Sequence, residues 1–245
     1  AAKKGIPDDH AYETKVVNWL KTPAGKAWVN KRIDAPIAAP DVPRAMSALD
    51  DPSNPDPDKQ SYVVITNAQG KQYREESHKK YGSWKPGEKE AQKTYTGGSY
   101  TSWNAAIRRG DIGSYRTQIV RATEGARPST RPMLLHRGTS FAELNDPSIS
   151  SYETLLPYVG RTYTTRGFTS TSVGGKAAFG GQLLIEVEAP IGTPMTYVAD
   201  FSNFKSENET TLPPHLIYEI KSVTKSGHTT VMRVRVIGVA DPHAE

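Results

Sequence analysis

The chain has 245 residues, a formal charge of +5, no cysteine, eighteen prolines and twenty glycines. Its length suits one domain, or one catalytic domain with a smaller extension. The missing cysteines exclude disulfides, thiolate catalysis and cysteine-ligated zinc, and the lack of a long apolar run excludes a transmembrane helix.

The opening stretch AAKKGIPDDH holds no apolar core of the kind a signal peptide needs, so none is expected in it. From His10 to Val29, Tyr12, Val16, Trp19, Leu20 and Trp28 recur at roughly helical spacing around a break at Pro23, which predicts two short amphipathic helices. Ile33 to Lys59 is dense in proline and aspartate and reads as a linker or surface wrap. SYVVIT, followed by NAQG and KQY, predicts a short hairpin, because Asn and Gly supply the backbone angles that a tight turn requires. The charged stretch from Arg74 to Lys93 is expected to be helical in part.

At Tyr95 the texture changes. SYTSWNAAIRRG puts Tyr100, Trp103 and Ile107 on one helical face, with Asn104 and Arg108 beside it. Strand-like runs follow: PMLLHRG, LLIEVEA, HLIYEIKSV and TTVMRVRVIGV. Helices first and strands afterwards argue an α+β fold rather than a βαβ array. The six histidines are scattered and none stands in a metal-ligand spacing, so no metal is expected. The positive charge is spread along the chain without a compact basic-aromatic cluster, which argues against nucleic acid as a partner.

Three pieces carry chemistry. Arg137 ends an apolar strand-like run and precedes Gly138; a guanidinium there suits a diphosphate, and the glycine allows close approach to the backbone. GFTSTS places Ser170, Thr171 and Ser172 in succession, and alternation on a strand would turn the two serines to one face, able to orient a carboxylate. Glu207 and Glu209 form one of three Glu-x-Glu pairs. Glu88/Glu90 precedes the arginine in a lysine-rich stretch, and Glu186/Glu188 alternates with Ile185 and Val187 as the wet face of a strand. Only Glu207/Glu209 follows a polar loop and leads into an apolar stretch. On a strand the two carboxylates would share a face, about 7 Å apart.

In this order, Arg137, then Phe168 with Ser170-Thr171-Ser172, then Glu207-x-Glu209, the chain resembles the mono-ADP-ribosyltransferases of the clostridial binary-toxin and ecto-enzyme type. TYTGGSYTSWNAAIRRG resembles the family's upstream helix, and Phe179 in KAAFGG resembles the residue that borders nicotinamide. The resemblance runs from about Tyr95 to Val239. It implies an α+β fold in which a helical N-terminal part precedes a mixed, mostly antiparallel two-sheet β core with a central NAD cleft. It divides the chain into an N-terminal helical and linker extension, 1–90, and a catalytic core, 91–245.

The resemblance also implies roles. Glu209 would stabilise the cationic ribose, Ser170 would orient Glu209, and Arg137 would hold the pyrophosphate. Gly138 would grip the nicotinamide amide and Phe179 would pack on its ring, while Tyr100, Asn104, Arg108, Thr171 and Ser172 would complete the NAD cradle. Glu207 would serve the acceptor, and a glutamate at that position goes with arginine acceptors in the family. Phe201, Asn203 and Phe204 would contact the target protein. The expected activity is transfer of ADP-ribose from NAD, a co-substrate, to arginine of a host or competitor protein. The expected setting is a secreted or injected toxin or effector acting in the target-cell cytoplasm, with a delivery component or larger parent chain as a further partner. The rival readings are an NAD glycohydrolase, a threonine- or nucleic-acid-directed transferase, and an inactive NAD-binding module.

Overall fold

The computed structural model describes residues 22–23, 42–144, 146–177, 180–202 and 207–241. The two helices expected between His10 and Val29 fall outside the described residues, except for 22–23. From Val42 the chain runs irregularly to a single 3-10 turn at Pro57–Lys59, as its prolines dictate.

The hairpin expected at 61–73 is instead the start of a helix, α1, Asn67–Tyr81. The Thr66 hydroxyl accepts a hydrogen bond from the Gln69 N–H, and the Gln69 side-chain oxygen accepts one from the Thr66 N–H. This capping box satisfies two of the amides that a helix start leaves open. The same polar residues that suit a turn therefore open a helix. Helices α2 (Glu88–Thr94), α3 (Tyr100–Arg109) and α4 (Arg116–Glu124) follow, with a wide turn over Tyr95–Ser99 joining α2 to α3. Trp103 and Ile107 are buried as their spacing predicts, whereas Tyr100 is 51% exposed.

The strands are β1 (Arg127–Pro128), β2 (Met133–Thr139), β3 (Thr162–Thr164), β4 (Thr169–Ser172), β5 (Leu183–Ala189), β6 (Pro194–Tyr197), β7 (Glu209–Leu212), β8 (Leu216–Ser226) and β9 (Thr229–Val239). The fold is α+β, with a helical part ahead of a mixed sheet. The strands follow one hydrogen-bonded order, β1-β6-β7-β4-β2-β5-β9-β8-β3, in which β5 and β9 run parallel and every other pair antiparallel. β2 and β4 meet at a single register pair, His136 with Ser172. The strands thus follow one hydrogen-bonded order where two sheets were expected.

Two apolar clusters hold this arrangement. One gathers inward-facing residues of the sheet, among them Leu135, Val187, Leu212, Met232 and Val234. The other lies among the helices and includes Val42, Tyr95, Trp103, Ile107 and Ile119. Phe168 belongs to the second cluster although it immediately precedes β4. Burial of that ring against Tyr95 and Trp103 ties the helices to the strand bearing the serines. Among the described residues no helix is long and apolar enough to cross a membrane.

Candidate active site

Asn104 sets the backbone at the entrance to β4. Its amide nitrogen donates to the Phe168 carbonyl at 3.0 Å, and its oxygen accepts from the Phe168 N–H at 2.8 Å. A Cβ at residue 167 would stand 2.8 Å from that oxygen, so the close approach requires Gly167. Asn104 is buried by this work, and it lines neither of the two depressions described below. Its amide also donates to the Tyr95 hydroxyl, which lies 3.4 Å from the Ser170 hydroxyl.

Ser170 in turn hydrogen-bonds the Glu209 carboxylate, although register pairs Ser170 with Thr211 and Ser172 with Glu209. Burial pushes the Glu209 carboxyl up to about 7; the Ser170 hydrogen bond and Arg137 oppose the shift, and Glu207 adds to it. Tyr95, pushed up by burial to about 12, stays a neutral hydroxyl. With Glu209 ionised, Ser170 must donate to it, while the Tyr95 hydroxyl accepts from Asn104 at 3.3 Å and has one proton for the Phe168 carbonyl at 3.3 Å or Ser170 at 3.4 Å.

Arg137 is held from two sides. One terminal nitrogen donates to the Ser170 carbonyl at 2.8 Å, and the other to Glu143 at 2.8 Å. Thr139 donates to the same Glu143 oxygen at 3.2 Å. Burial is the largest single effect on the Glu143 carboxyl and raises it, but the charge and hydrogen bond of Arg137, with Arg108 and Thr139, together hold it below its ordinary value, so it stays ionised. The guanidinium thus ties β2 to β4. Two of its five N–H groups are used.

Arg137, Gly138, Ser170, Thr171, Ser172, Glu207 and Glu209 line one small notch together with His136. The sequence candidates from three separate stretches therefore converge. An open cavity of about 310 Å³ has Arg108, Arg166, Glu143 and Asp146 as polar lining and Tyr163, Tyr218 and Ile185 as apolar walls. Arg137 bonds residues of both depressions.

One expectation needs correction. Glu207 and Glu209 do not share a strand face: β7 starts only at Glu209, and Asn208 sits at φ 53°. That left-handed backbone, which Asn tolerates better than most residues, turns the chain between the two carboxylates. They nonetheless border the same notch. The Glu207 carboxyl is raised by desolvation. The other two Glu-x-Glu pairs lie elsewhere: Glu186 and Glu188 bond Arg233 and Arg235 across the sheet, and Glu88 is buried against Arg127.

Thr171 is buried with its hydroxyl on the Thr210 carbonyl, Tyr100 packs edge-on to Tyr95, and Arg108 is exposed at the cavity rim. Phe201 packs against Trp84, with ring centroids 5.4 Å apart. Phe179, Asn203 and Phe204 lie outside the described residues. Tyr95 and Glu143 are the site residues that sequence reasoning missed. Tyr95 opens the resembling helix, a usable signal, whereas Glu143 stands alone in FAEL and carries none. Among the described residues no cluster of His, Asp or Glu could hold a metal ion.

Residues 70–237 match the family model of the ADP-ribosyltransferase exoenzymes. The chain belongs to that family. No curated protein matches the sequence. Several solved structures share the fold. Plx2a, an ADP-ribosyltransferase toxin from Paenibacillus larvae, is 21% identical with a TM-score of 0.59, covering 71% of this chain and 98% of its own. The Clostridium limosum C3 exoenzyme is 17% identical with a TM-score of 0.61, covering 72% and 98%. C3stau2 from S. aureus, solved with NAD, is 17% identical with a TM-score of 0.59, again covering 72% and 98%. The family match begins inside α1, ahead of Tyr95 where the motif resemblance starts, and α1 packs on the sheet: Ser77 donates to the Pro128 carbonyl and Arg74 to that of Tyr197.

Proposed function

We propose that this ADP-ribosyltransferase takes ADP-ribose from NAD, releases nicotinamide and joins the ribose to an arginine of a target protein. The observation that carries the reading is the convergence of Arg137, the Ser170 hydroxyl and the Glu209 carboxylate on one notch, with Glu209 hydrogen-bonded to Ser170. Cleavage of the nicotinamide–ribose bond passes through an oxocarbenium-like state, and nicotinamide leaves as a neutral molecule. A carboxylate fixed beside the anomeric carbon stabilises that charge, and such preorganised contacts contribute roughly 3–4 kcal/mol each. Glu209 fits the task because its partner holds it in place and burial excludes water around it.

Arg137 presents its remaining N–H groups toward a pyrophosphate, and Arg108 at the cavity rim adds positive charge on the same side. Gly138 offers backbone to the nicotinamide amide, and Phe179 a ring. Glu207 borders the notch without sharing the Ser170 contact. Its role is to orient the acceptor guanidinium and take its proton, which an arginine side chain does not lose unaided. The fold likeness to C3stau2, solved with NAD, supports NAD as donor, and the likeness to Plx2a supports a toxin or effector role. A secreted or injected route into a target cell, with a delivery partner, follows from that role.

Incubating the chain with host lysate and labelled NAD tests the reading. Label on arginine, identified by mass spectrometry and absent with Glu209→Ala, is the expected result. Release of free ADP-ribose with no labelled protein would make it a glycohydrolase, and nuclease-sensitive label would make it a nucleic-acid transferase.

A further inference from the structure

The loop that leads to the two glutamates leaves the sheet after β6 and returns at β7. Its ends are joined by the Val198 N–H donating to the Glu209 carbonyl at 3.0 Å. One helix grips both ends. At the outgoing end, Arg74 of α1 forms a two-point pair with Asp200, at 2.6 and 2.8 Å, and donates to the Tyr197 carbonyl at 2.9 Å. Its guanidinium lies beside three aromatic rings, 5.3 Å from the Trp84 centroid, 5.6 Å from that of Phe201 and 5.9 Å from that of Tyr197. It is only 11% exposed. A Cβ at residue 70 would stand 2.7 Å from the Tyr197 ring, so Gly70 lets the helix lie directly on β6.

At the returning end, the side chain of Asn67, the first residue of α1, donates to the side chain of Asn208. Asn208 is the left-handed residue that separates Glu207 from Glu209, so its orientation sets the angle between the two carboxylates. Arg74 and Asn67 are seven residues apart, two helical turns on one face, which matches the two grip points.

We infer that Asn67 and Arg74 are positioning residues for acceptor transfer: α1 holds Asp200 and Asn208 so that Glu207 meets the acceptor, without touching NAD chemistry itself. This rests on the transferase reading proposed above, and it gives part of the N-terminal segment a function of its own. The Ser170–Glu209 contact is made from the opposite, β4 side. Loss of the α1 grip therefore separates the two halves of the reaction.

The test compares nicotinamide release from NAD alone with ADP-ribosylation of agmatine, a small guanidinium acceptor, in the full chain. Asn67→Ala is expected to cut agmatine transfer about ten- to a hundredfold, as small misplacements of reacting groups do, with nicotinamide release within about twofold of wild type. Asn67→Asp, which can accept from the Asn208 amide, is expected to recover most of the transfer. Arg74→Lys keeps the charge and loses the fork, and is expected to show the same split as Asn67→Ala. Equal loss of both activities in Asn67→Ala and Arg74→Lys, or no change in either, overturns the inference. A wild type that releases no nicotinamide overturns the proposed function instead. A wild type that releases nicotinamide but leaves agmatine unmodified overturns the arginine direction and the positioning role together.

Discussion

The Ser170 hydroxyl hydrogen-bonds a Glu209 carboxylate that is only 6% exposed. Burial raises that carboxyl from 4.5 to about 7, so the folded chain binds this proton more tightly than the unfolded chain does between those values. Stability from this group is therefore complete below about 4.5 and is lost as pH rises to about 7. Glu209→Gln removes the titration while keeping a polar side chain. It is expected to leave stability near pH 4 almost unchanged and to raise it at pH 8 by roughly 2–3 kcal/mol. Urea unfolding at both pH values checks this, and an equal effect at both would show that the carboxyl does not titrate as described.

The same carboxyl governs rate. Stabilising a cationic ribose requires ionised Glu209, so kcat/KM for nicotinamide release is expected to rise with pH and reach half its plateau near 7. Arg137 and Glu207 face the group with opposite effects. NAD brings a cationic nicotinamide ring, which favours the ionised form, so the limb in kcat should lie at lower pH than that in kcat/KM. A kcat/KM profile flat from pH 5 to 8 would remove Glu209 from this role.

Glu207 and Glu209 should separate by phenotype. Glu209→Ala is expected to abolish both nicotinamide release and transfer. Glu207→Ala should lose transfer by about a hundredfold or more while keeping measurable NAD hydrolysis, because it acts on the acceptor proton. The turn at Asn208, which takes Glu207 off the strand, is the structural basis for that independence. Equal loss of both activities in Glu207→Ala would remove the acceptor role.

Much of this arrangement could be read in the sequence because it depends on order along the chain. Arg137 ends an apolar run, Ser170 stands in a run of hydroxyl residues and Glu209 leads toward the next apolar stretch, and strand pairing sets these segments side by side. What escaped depends on side chains meeting across the fold. Glu143 has no periodic partner, and its meaning comes only from the guanidinium beside it. The segment at 61–73 misled because Thr, Asn, Gln and Gly serve a turn and a helix cap equally, and only packing of α1 on β6 decides between them. The strand pattern for Glu207 and Glu209 failed at Asn208, since one left-handed residue ends an alternation that spacing alone would continue.

Glu88, which reads as solvated in its lysine-rich stretch, makes the last prediction. It is 2% exposed, and one oxygen accepts from Arg127 at 2.7 Å and from the Lys85 N–H at 2.9 Å. Arg127 also donates to the Gly82 carbonyl at 2.9 Å and the Ser83 carbonyl at 3.1 Å, so the pair fastens the start of α2 to β1. Removing one partner strands the other charge away from water, and Glu88→Ala is expected to cost about 3–5 kcal/mol. Glu88→Ala combined with Arg127→Met removes both charges and should cost less than the sum of the two single changes, by about 1 kcal/mol or more. Chemical unfolding of the three variants decides it. Additive losses would mean that the two side chains contribute through separate contacts, and the ion pair would not be what joins helix to strand.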